Sequence, residues 1–478
     1  MCPQGNQHHH GLPIVYKKQR SWWQRVFMKK SSLVDMNESA GGLSSKERVS
    51  SASLGRPSEN PLGQPPAVII VGPPWPRSGT ARVIQNQIHY YRERGFFTVF
   101  VAVPFLWYFI HIAQDPGEII EGLNELGADR MFMATLDQKR YTAAKYKASV
   151  RHAFRGTALD WQVALGKEAR LNDEHLDFLR GLRAVLFHVN HVYTLGFALD
   201  LRRRLFDDDL PLPIILETHD VQSQLLQEKG ERNPWTRRPD RLDRLIKSET
   251  SLLKKASVLI HLSVDDLRLF EGLMPSKPQF LAFPTIDENF ISSVNAAAPP
   301  VESIDLLFVG QWHSANLAAM KWFFDQVWPL IADRRYNIKI VGPIGSTVKK
   351  ELPQMHDTFR SYFVGEVTDL VPYYRAARCV IAPMVSGSGI SIKTIEALAL
   401  GKPFVGTSKA YRGIPMDRIE QAGLHAYDTP QAFADAIVYA LSNEQRVAAA
   451  GRAAYDHLFS KQAAFSSRDE AFRIATAT

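Results

Sequence analysis

Short apolar segments alternate with amphipathic segments from residue 67 onward. The clearest apolar segments are Ala67–Val71, Phe97–Val103 and Ser257–Leu262, which are rich in β-branched and aromatic residues. Segments with helical periodicity lie between them, for example Thr80–Arg94 and Arg241–Lys255. Strands that alternate with helices in this way predict a parallel sheet with helices packed on both of its faces.

The same pattern restarts after Ser292–Pro300, a stretch of small residues and proline that we interpret as a linker. Strands are predicted at Asp305–Val309, Asn337–Val341, Ser361–Val364, Cys379–Met384 and Pro403–Gly406, and helices at Asn316–Ile331, Leu370–Arg378 and Ser391–Leu400. We therefore expect an α/β protein with two Rossmann-like, doubly wound parallel-sheet lobes facing a cleft, and ligands at the carboxyl ends of the strands. The predicted divisions are a flexible basic tail (1–65), an N-terminal lobe (66–296), a C-terminal lobe (297–455) and a helical segment that packs back on the N-terminal lobe (456–478).

The net charge of the chain is concentrated in its tail. The 478 residues include 57 Lys and Arg against 49 Asp and Glu, which gives a formal charge of +8. Residues 1–65 hold nine basic and four acidic residues, so +5 of that charge lies there. Because the lobes are nearly neutral, a broad surface for nucleic acid is not expected.

Cysteine content and hydropathy limit the environment of the protein. Only Cys2 and Cys379 are present, which excludes a disulfide framework and a cysteine-rich zinc site and fits a reducing cytoplasm. The longest apolar run, Phe96 to Ile112, is interrupted by Pro104 and is shorter than the ~20 residues of a membrane-spanning helix. We expect a cytoplasmic protein.

One segment of the tail has the pattern of an interfacial membrane helix. On a helix, Trp22, Trp23, Val26 and Phe27 would share one face, with the Lys and Arg residues of Lys17–Lys30 around it. A disordered basic tail has the same composition and stays the alternative. The first interpretation predicts peripheral contact of Trp22–Lys30 with an anionic membrane, which would place the protein at the inner membrane face.

The segment Val380–Thr407 has the features of a phosphate-binding loop. Its Gly387-Ser388-Gly389 lies between a predicted strand and a predicted helix, where glycine lets the backbone approach a ligand and the helix N-terminus presents free N–H groups. Glu396 follows about one and a half turns into the helix and could accept hydrogen bonds from two ribose hydroxyls. Lys393 could add positive charge next to a phosphate.

This segment, VIAPMVSGSGISIKTIEALALGKPFVGT, resembles the donor-binding segment of family 4 retaining glycosyltransferases with the GT-B fold. Further segments resemble that family in the same order along the chain: Ser78–Phe96, Leu216–Ser223, Leu307–Gly310 with the helix that follows it, Ile338–Gly345 and Tyr362–Pro383. The resemblance covers about residues 67–455 and is best in 300–410. It implies transfer of a sugar, with retention of configuration, from a nucleotide-sugar donor in the C-terminal lobe to an acceptor in the N-terminal lobe. The acceptor could be a glycan, a lipid-linked sugar or a small molecule, and no metal or other cofactor is expected.

The resemblance also implies roles for individual residues. His219 would lie near the donor sugar and serve the reaction. The donor-binding residues that it implies are Gly79, Gly310, Gly365, Glu366, Val367, Gly387, Ser388, Gly389, Ile390, Ser391 and Glu396. Expulsion of the diphosphate needs charge stabilisation, for which Lys393, the helix dipole at Ser391 and Arg82 are candidates.

Two departures from the family keep other functions open. The family often has two glutamates eight positions apart, but Ser388 stands where the first would precede Glu396. The loop Gln311–Ser314 also lacks the Arg and Lys that many members use to hold the diphosphate. The alternatives are a GT-B scaffold that binds without catalysis, and a sugar-nucleotide epimerase on the same fold.

Deletion of residues 1–60 tests the division between tail and lobes. We expect the truncated protein to lose association with anionic liposomes, because +5 of the charge and the Trp22–Lys30 segment lie within residues 1–65. Binding of a soluble donor should be unchanged, as measured by titration calorimetry. Loss of both properties would contradict the division.

Overall fold

The computed structural model describes residues 65–76, 78–104, 116–136, 142–143, 146, 156–206, 212–228, 230, 240–298 and 301–477. Within these ranges the chain forms two sheets in which every strand pairs in parallel. The Trp22–Lys30 segment, and the apolar residues that follow Pro104, lie outside the described residues. Among the helices that are described, none combines the length and hydropathy needed to span a bilayer.

The first lobe is built on a seven-stranded sheet. Its strands are β1 (Ala67–Gly72), β2 (Phe97–Ala102), β3 (Arg130–Met133), β4 (Ala184–Asn190), β5 (Ile214–Glu217), β6 (Val258–His261) and β7 (Gln279–Leu281). Their order is β3-β2-β1-β4-β5-β6-β7, so the winding direction reverses between β1 and β4. The helices that precede β8 along the chain are α1 (Gly79–Glu93), α2 (Pro116–Asn124), α3 (Ala158–Gly166), α4 (Asp173–Arg180), α5 (Leu195–Leu205), α6 (Gln222–Glu228), α7 (Leu242–Leu253), α8 (Val264–Leu273) and α9 (Glu288–Ala296).

The second lobe is built on a five-stranded sheet. Its strands are β8 (Ile304–Val309), β9 (Ile338–Val341), β10 (Phe363–Gly365), β11 (Ala377–Ala382) and β12 (Phe404–Gly406), in the order β10-β9-β8-β11-β12. The helices that follow β8 along the chain are α10 (Ser314–Trp322), α11 (Ile344–Glu351), α12 (Pro353–Thr358), α13 (Val371–Ala376), α14 (Ile392–Ala399), α15 (Met416–Gln421), α16 (Pro430–Ser442), α17 (Glu444–Leu458) and α18 (Lys461–Thr476). The prediction of two doubly wound, parallel-sheet lobes is therefore confirmed.

Both faces of the first sheet are covered, and most positions of its strands are apolar and buried. Val68 and Ile70 pack on the face covered by α1 and α18, whereas Ile69 and Val71 pack on the opposite face. The second sheet has its own core, formed with α10, α14, α16 and α17. Helix α18 comes last in the chain but packs on the first sheet, where Ala464 and Phe465 are buried.

Three predicted elements are wrong in their limits, each for a local reason. Residues 292–296 end helix α9 and are not a linker, because the Asp287 side chain caps the helix and Val294 is buried on its inner face. The predicted helix Asn316–Ile331 starts at Ser314 and is regular only to Trp322. A π-helical turn and a 3₁₀ turn with Pro329 follow. The predicted strand Ser361–Val364 starts at Phe363, because a 3₁₀ turn precedes it.

A buried ion pair joins the end of the chain to the first sheet. Arg468 of α18 donates from both terminal guanidinium nitrogens to the Glu217 carboxylate of β5, over 2.6 and 3.1 Å. Their exposed fractions are 2% and 0%. His188 Nε2 lies 3.1 Å from the same carboxylate, and His188 Nδ1 lies 2.8 Å from the Tyr91 hydroxyl. The Arg468 charge holds the pKa of Glu217 far below its usual value, despite burial that acts in the opposite direction.

Replacement of Arg468 tests how far the fold depends on this pair. We expect Arg468→Met to lower the free energy of unfolding by about 3–5 kcal/mol, because it leaves the Glu217 carboxylate buried without its counter-charge. Arg473→Met is the matched control on the same helix, since Arg473 pairs with Glu470 at the surface, and should cost less than about 1 kcal/mol. The double variant Glu217→Met/Arg468→Met should recover most of the loss. Urea unfolding measures all three, and equal losses for the two arginine variants would contradict the prediction.

Candidate functional site

The candidate site lies where the carboxyl ends of the central strands of both sheets meet. His219 follows β5, and Gly79 starts α1 after β1, so both lie near the reversal point of the first sheet. Gly387–Gly389 connects β11 to α14 in the second lobe. A Cβ atom placed on Gly79 would lie 3.3 Å from Cγ1 of Ile392, at the N-terminus of α14. The structure therefore brings the predicted first-lobe residues against the predicted phosphate loop.

Gly389 lies where the loop of the second lobe meets the first lobe. Its φ is +61°, and a Cβ on it would lie 2.5 Å from Oδ1 of Asp220 and 2.9 Å from the carbonyl oxygen of His219. Any other residue would be strained in conformation and would also clash with the opposite lobe. Behind this contact, Val264 N–H donates to the Gly413 carbonyl oxygen over 3.0 Å. The loop is thus packed directly against the turn that carries His219.

Glu396 is held in a defined orientation on α14. It is 6% exposed, and the Tyr374 hydroxyl donates to its Oε2 over 2.8 Å. Arg82 of α1 lies across the cleft with its Nε 3.8 Å from Oε1, and its guanidinium also lies over the Phe290 ring. The carboxylate therefore has one oxygen fixed by its own lobe and the other facing a cation of the first lobe.

Lys393 points from α14 toward the loop that follows β8. Its Nζ donates to Oδ1 of Asn316 over 2.6 Å, and the Asn316 amide donates to the Gln311 carbonyl oxygen over 2.8 Å. The ammonium also lies 4.2 Å from the centre of the Phe308 ring. Burial, helped by the nearby Arg412 charge, lowers the pKa of Lys393 to about 7. Lys393 thus places an amine that is partly protonated at neutral pH beside the Gln311–Ser314 loop, which has no Lys or Arg of its own.

Arg412 is a functional candidate that the sequence analysis missed. Its Nε donates to the Ser388 carbonyl oxygen over 3.0 Å, and its guanidinium lies directly behind Gly387. Burial lowers the pKa of Arg412, whereas the Asp220 carboxylate raises it. The one signal for Arg412 in the sequence was that it follows β12. That strand is the neighbour of β11 in the sheet, so residues after it lie near the Gly387–Gly389 loop.

The remaining predicted residues lie along the same edge of the second sheet. Gly310 is buried at the end of β8, and Ile390 is partly buried against the core. Ser391 precedes α14 and makes no side-chain capping hydrogen bond to its N–H groups. Gly365 ends the edge strand β10, and Glu366 and Val367 follow it; Glu366 is exposed. They lie three strands away from β11 and so at the far end of the site.

His219 is held in an unusual backbone conformation. Its φ is +61°, and Asp220 N–H donates to the Thr218 carbonyl oxygen over 2.8 Å, which closes a γ-turn around it. Its ring stacks on His191 at 4.0 Å, and His191 also has a positive φ, +64°. Such strain costs about 1–3 kcal/mol per residue and is concentrated at functional sites. Burial lowers the pKa of His219 to about 4, against the smaller upward effect of Glu217, so His219 is neutral at pH 7.

The fold places this protein in a structural class. Its two parallel-sheet lobes with a site at the facing strand ends are the GT-B fold of glycosyltransferases. Sucrose-phosphate synthase from Thermosynechococcus elongatus aligns with a TM-score of 0.56 and 14% identity, over 86% of this chain and 99% of that one. Anabaena Alr3699/HepE, in complex with UDP and glucose, aligns with a TM-score of 0.54 and 15% identity, over 84% and 98%. S. aureus TarM, as the G117R mutant with UDP and α-GlcNAc-glycerol, aligns at 0.55 and 10% identity, over 86% and 100%.

The sequence match covers a shorter part of the chain than the structural alignments do. Residues 303–443, from β8 to the end of α16, match the sequence family described as glycosyl transferases group 1. That range contains Gly387–Gly389, Lys393, Glu396 and Arg412. A search of curated proteins gave no significant match. In the described part of the chain, no group of three or more His, Cys, Asp or Glu side chains is arranged to hold a metal ion.

Buried histidines around the site predict loss of stability in acid. His261 on β6 lies with its Nδ1 3.0 Å from the Thr218 hydroxyl. Burial lowers the pKa of His261 to about 4, as it does for His219. Between about pH 6.5 and pH 4 the unfolded chain binds protons at these histidines and the folded chain does not, so the free energy of unfolding falls as pH falls. Each contributes about 1.4 kcal/mol per pH unit. Urea unfolding at pH 7.5, 6.0 and 5.0 should show the fall, and His261→Gln should show a smaller slope. An unchanged slope in that variant would contradict the assignment.

Proposed function

We propose that this protein is a glycosyltransferase that moves a sugar from a nucleotide-sugar donor to an acceptor, with retention of anomeric configuration. The observation that carries the proposal is the meeting of Glu396 and the Gly387–Gly389 loop with His219 and Arg82 across a GT-B cleft. A carboxylate for ribose, N–H groups and cations for a diphosphate, and a histidine on the facing wall are what a nucleotide-sugar requires. The match of residues 303–443 to group 1 glycosyltransferases supports the same conclusion.

The donor would lie along the carboxyl edge of the second sheet. Gly365, Glu366 and Val367 would border the base, Glu396 would accept hydrogen bonds from ribose, and the N–H groups at Ser391 would face the diphosphate. Three strand spacings separate β10 from β11, about 14 Å. An extended nucleoside diphosphate is of comparable length. Gly79, Gly310, Ser388 and Ile390 would line the path with backbone atoms.

The arrangement of cations favours catalysis over a binding scaffold. A departing diphosphate carries about two negative charges that must be stabilised as they develop. The Gln311–Ser314 loop has no Lys or Arg, but Lys393 donates to Asn316 in the first turn of α10, which follows that loop, and Arg412 donates to the Ser388 carbonyl oxygen. Arg82 adds a third positive charge from the facing lobe. The scaffold alternative was based on the lack of Arg and Lys in the Gln311–Ser314 loop. Lys393, Arg412 and Arg82 would supply that positive charge from other elements.

The reaction would follow the front-face route of retaining enzymes. The acceptor hydroxyl forms the new C–O bond at the anomeric carbon on the face from which the diphosphate departs, and its proton passes to the leaving phosphate oxygen. His219 is neutral and would hydrogen-bond the donor sugar. The lobes already touch at Gly389 and Asp220, and this closure would exclude water and favour transfer over hydrolysis.

UDP-sugars are the first donors to test, because the Anabaena and S. aureus proteins have been described in complex with UDP. For the acceptor we propose a glycan or a lipid-linked sugar, with a role in polysaccharide biosynthesis. Trp22–Lys30 would hold the enzyme at the inner membrane face, where a lipid-linked acceptor lies. No metal and no nucleic acid enter the proposal.

Thermal shift with UDP-, GDP- and ADP-sugars should identify the donor base, because a bound donor raises the melting temperature by mass action. With the best donor, Glu396→Ala should abolish the shift. Lys393→Met should lower kcat for transfer or donor hydrolysis by roughly 100-fold or more. Lys321→Met is the matched control, since Lys321 pairs with Asp325 on the surface of α10, and it should leave kcat within about twofold.

The outcomes separate the alternatives. Donor binding without turnover on a broad acceptor panel would indicate a scaffold, and release of an epimerised sugar without an acceptor would indicate an epimerase. Unchanged donor affinity in Glu396→Ala would refute the site assignment.

A further inference from the structure

The side chain of Asn190, at the end of β4, lies between three groups that fix its orientation. Its Nδ2 donates to the Val71 carbonyl oxygen over 3.3 Å and to Oε1 of Gln87 over 2.9 Å. Its Oδ1 accepts from Nε2 of Gln87 over 2.7 Å and lies 2.8 Å from Nε2 of His219. All three side chains are buried. The two amides therefore form a reciprocal pair with a histidine at one end and a backbone carbonyl at the other.

The Val71 carbonyl decides which way the Asn190 amide points. A carbonyl oxygen can only accept, so the NH₂ group of Asn190 must face it, and a flipped amide would bring two acceptor oxygens together. With that orientation fixed, the oxygen of Asn190 faces His219. An acceptor oxygen 2.8 Å from a neutral imidazole nitrogen requires a proton on that nitrogen, Nε2. The lone pair of the ring is then on Nδ1.

We propose that Asn190 is a positioning residue for His219: its amide, held by Gln87 and Val71, fixes the tautomer with the proton on Nε2 and leaves Nδ1 to accept a hydrogen bond from a donor-sugar hydroxyl. This inference rests on the proposed function for the identity of the hydroxyl group. The tautomer itself follows from the protein alone. The contacts of Asn190 on β4 thus decide which ring nitrogen of His219, after β5, can accept a hydrogen bond in the cleft.

The surroundings of His219 keep the ring neutral and in place. His191 stacks on it at 4.0 Å, and Nε2 of His191 lies 3.2 Å from the Thr80 hydroxyl. Among the described residues, Nδ1 of His191 has no hydrogen-bond partner, and burial together with His219 lowers the pKa of His191 well below its usual value.

The charges that act on His219 come from three further elements. Glu217 on β5 raises its pKa, whereas His188 on β4 and Arg468 on α18 lower it. Asp220 is its neighbour in the chain. Burial lowers the pKa of His219 more than any of these charges changes it, so the ring is neutral at pH 7 and carries its single proton on either Nδ1 or Nε2.

The test measures the tautomer of His219 directly, in the full chain and without donor. Long-range ¹H–¹⁵N correlation spectra of ¹⁵N-histidine-labelled protein show which ring nitrogen carries the proton, and the spectrum of His219→Gln identifies the His219 signals among the 15 histidines. We expect the proton on Nε2 at pH 7. A proton on Nδ1 would overturn the proposal.

Two substitutions of Asn190 should change His219 in different ways. Asn190→Leu removes the acceptor, so we expect a mixture of tautomers or the Nδ1–H form. Asn190→Asp places a carboxylate beside Nε2 and should raise the NMR titration midpoint of His219 by more than about one pH unit. Asn86→Leu is the matched control, because Asn86 is also a buried asparagine of the same lobe but accepts from Thr285 N–H. It should leave the His219 tautomer and midpoint unchanged.

Kinetics then separate positioning from structural damage. In Asn190→Leu we expect kcat with the best donor to fall roughly 10- to 100-fold, with the donor KM changed less than about threefold. An unaltered tautomer in Asn190→Leu would overturn the proposal. The expected tautomer without turnover of any nucleotide-sugar would refute the proposed function and leave the inference on Asn190 intact.

Discussion

The ion pair between Glu217 and Arg468 is the interaction on which the arrangement of the site depends. It joins residues that are 251 positions apart in the chain, and it lies inside the first lobe although α18 follows the helices of the second lobe. Removing two charges from water costs several kcal/mol per ion, which only close, bidentate contact can offset. The main effect of the pair is therefore to fix the position of α18 on the first sheet, and its net contribution to the free energy of unfolding is small. An α18 shifted by one turn would leave two buried charges without partners, so only one register of the helix is acceptable.

That constraint reaches the site through strand β5. Glu217 is the last residue of the strand, and the γ-turn around His219 follows immediately. Two sets of contacts hold His219 and His191 in their strained conformations. One is the Glu217–Arg468 ion pair at the end of β5, and the other is the Gln87–Asn190 amide pair at the end of β4. In the facing lobe, Tyr374 and Asn316 orient Glu396 and Lys393 in a similar way. Each wall of the cleft thus presents side chains whose geometry is fixed before any ligand arrives, which lowers the cost of binding and of charge stabilisation.

The architecture could be predicted from the sequence because apolar strands and amphipathic helices alternate in a regular way. Errors arose where tertiary contacts override composition, as at Val294, whose burial keeps a stretch of small residues helical. In the candidate site, Glu396 and His219 could be proposed from the sequence because they stand in recognisable segments. Asn190, Asp220 and Arg412 were not, because nothing local marks them. Asn190 acquires its role from Val71 and Gln87, and Arg412 from Ser388, and these partners come together only when distant strands pair.

The cations of the second lobe are local charges by which the nearly neutral lobes would hold the dianionic donor that we propose. Burial and the nearby Arg412 charge both lower the pKa of Lys393, and both side chains are partly buried. A lysine whose pKa lies at about 7 is only partly protonated at neutral pH. A diphosphate placed between these groups would remove the repulsion and raise that pKa, so donor binding would be coupled to proton uptake at Lys393. The site would thereby gain positive charge when its anion arrives, while the surface of the lobes stays without the broad basic patch that nucleic acids require.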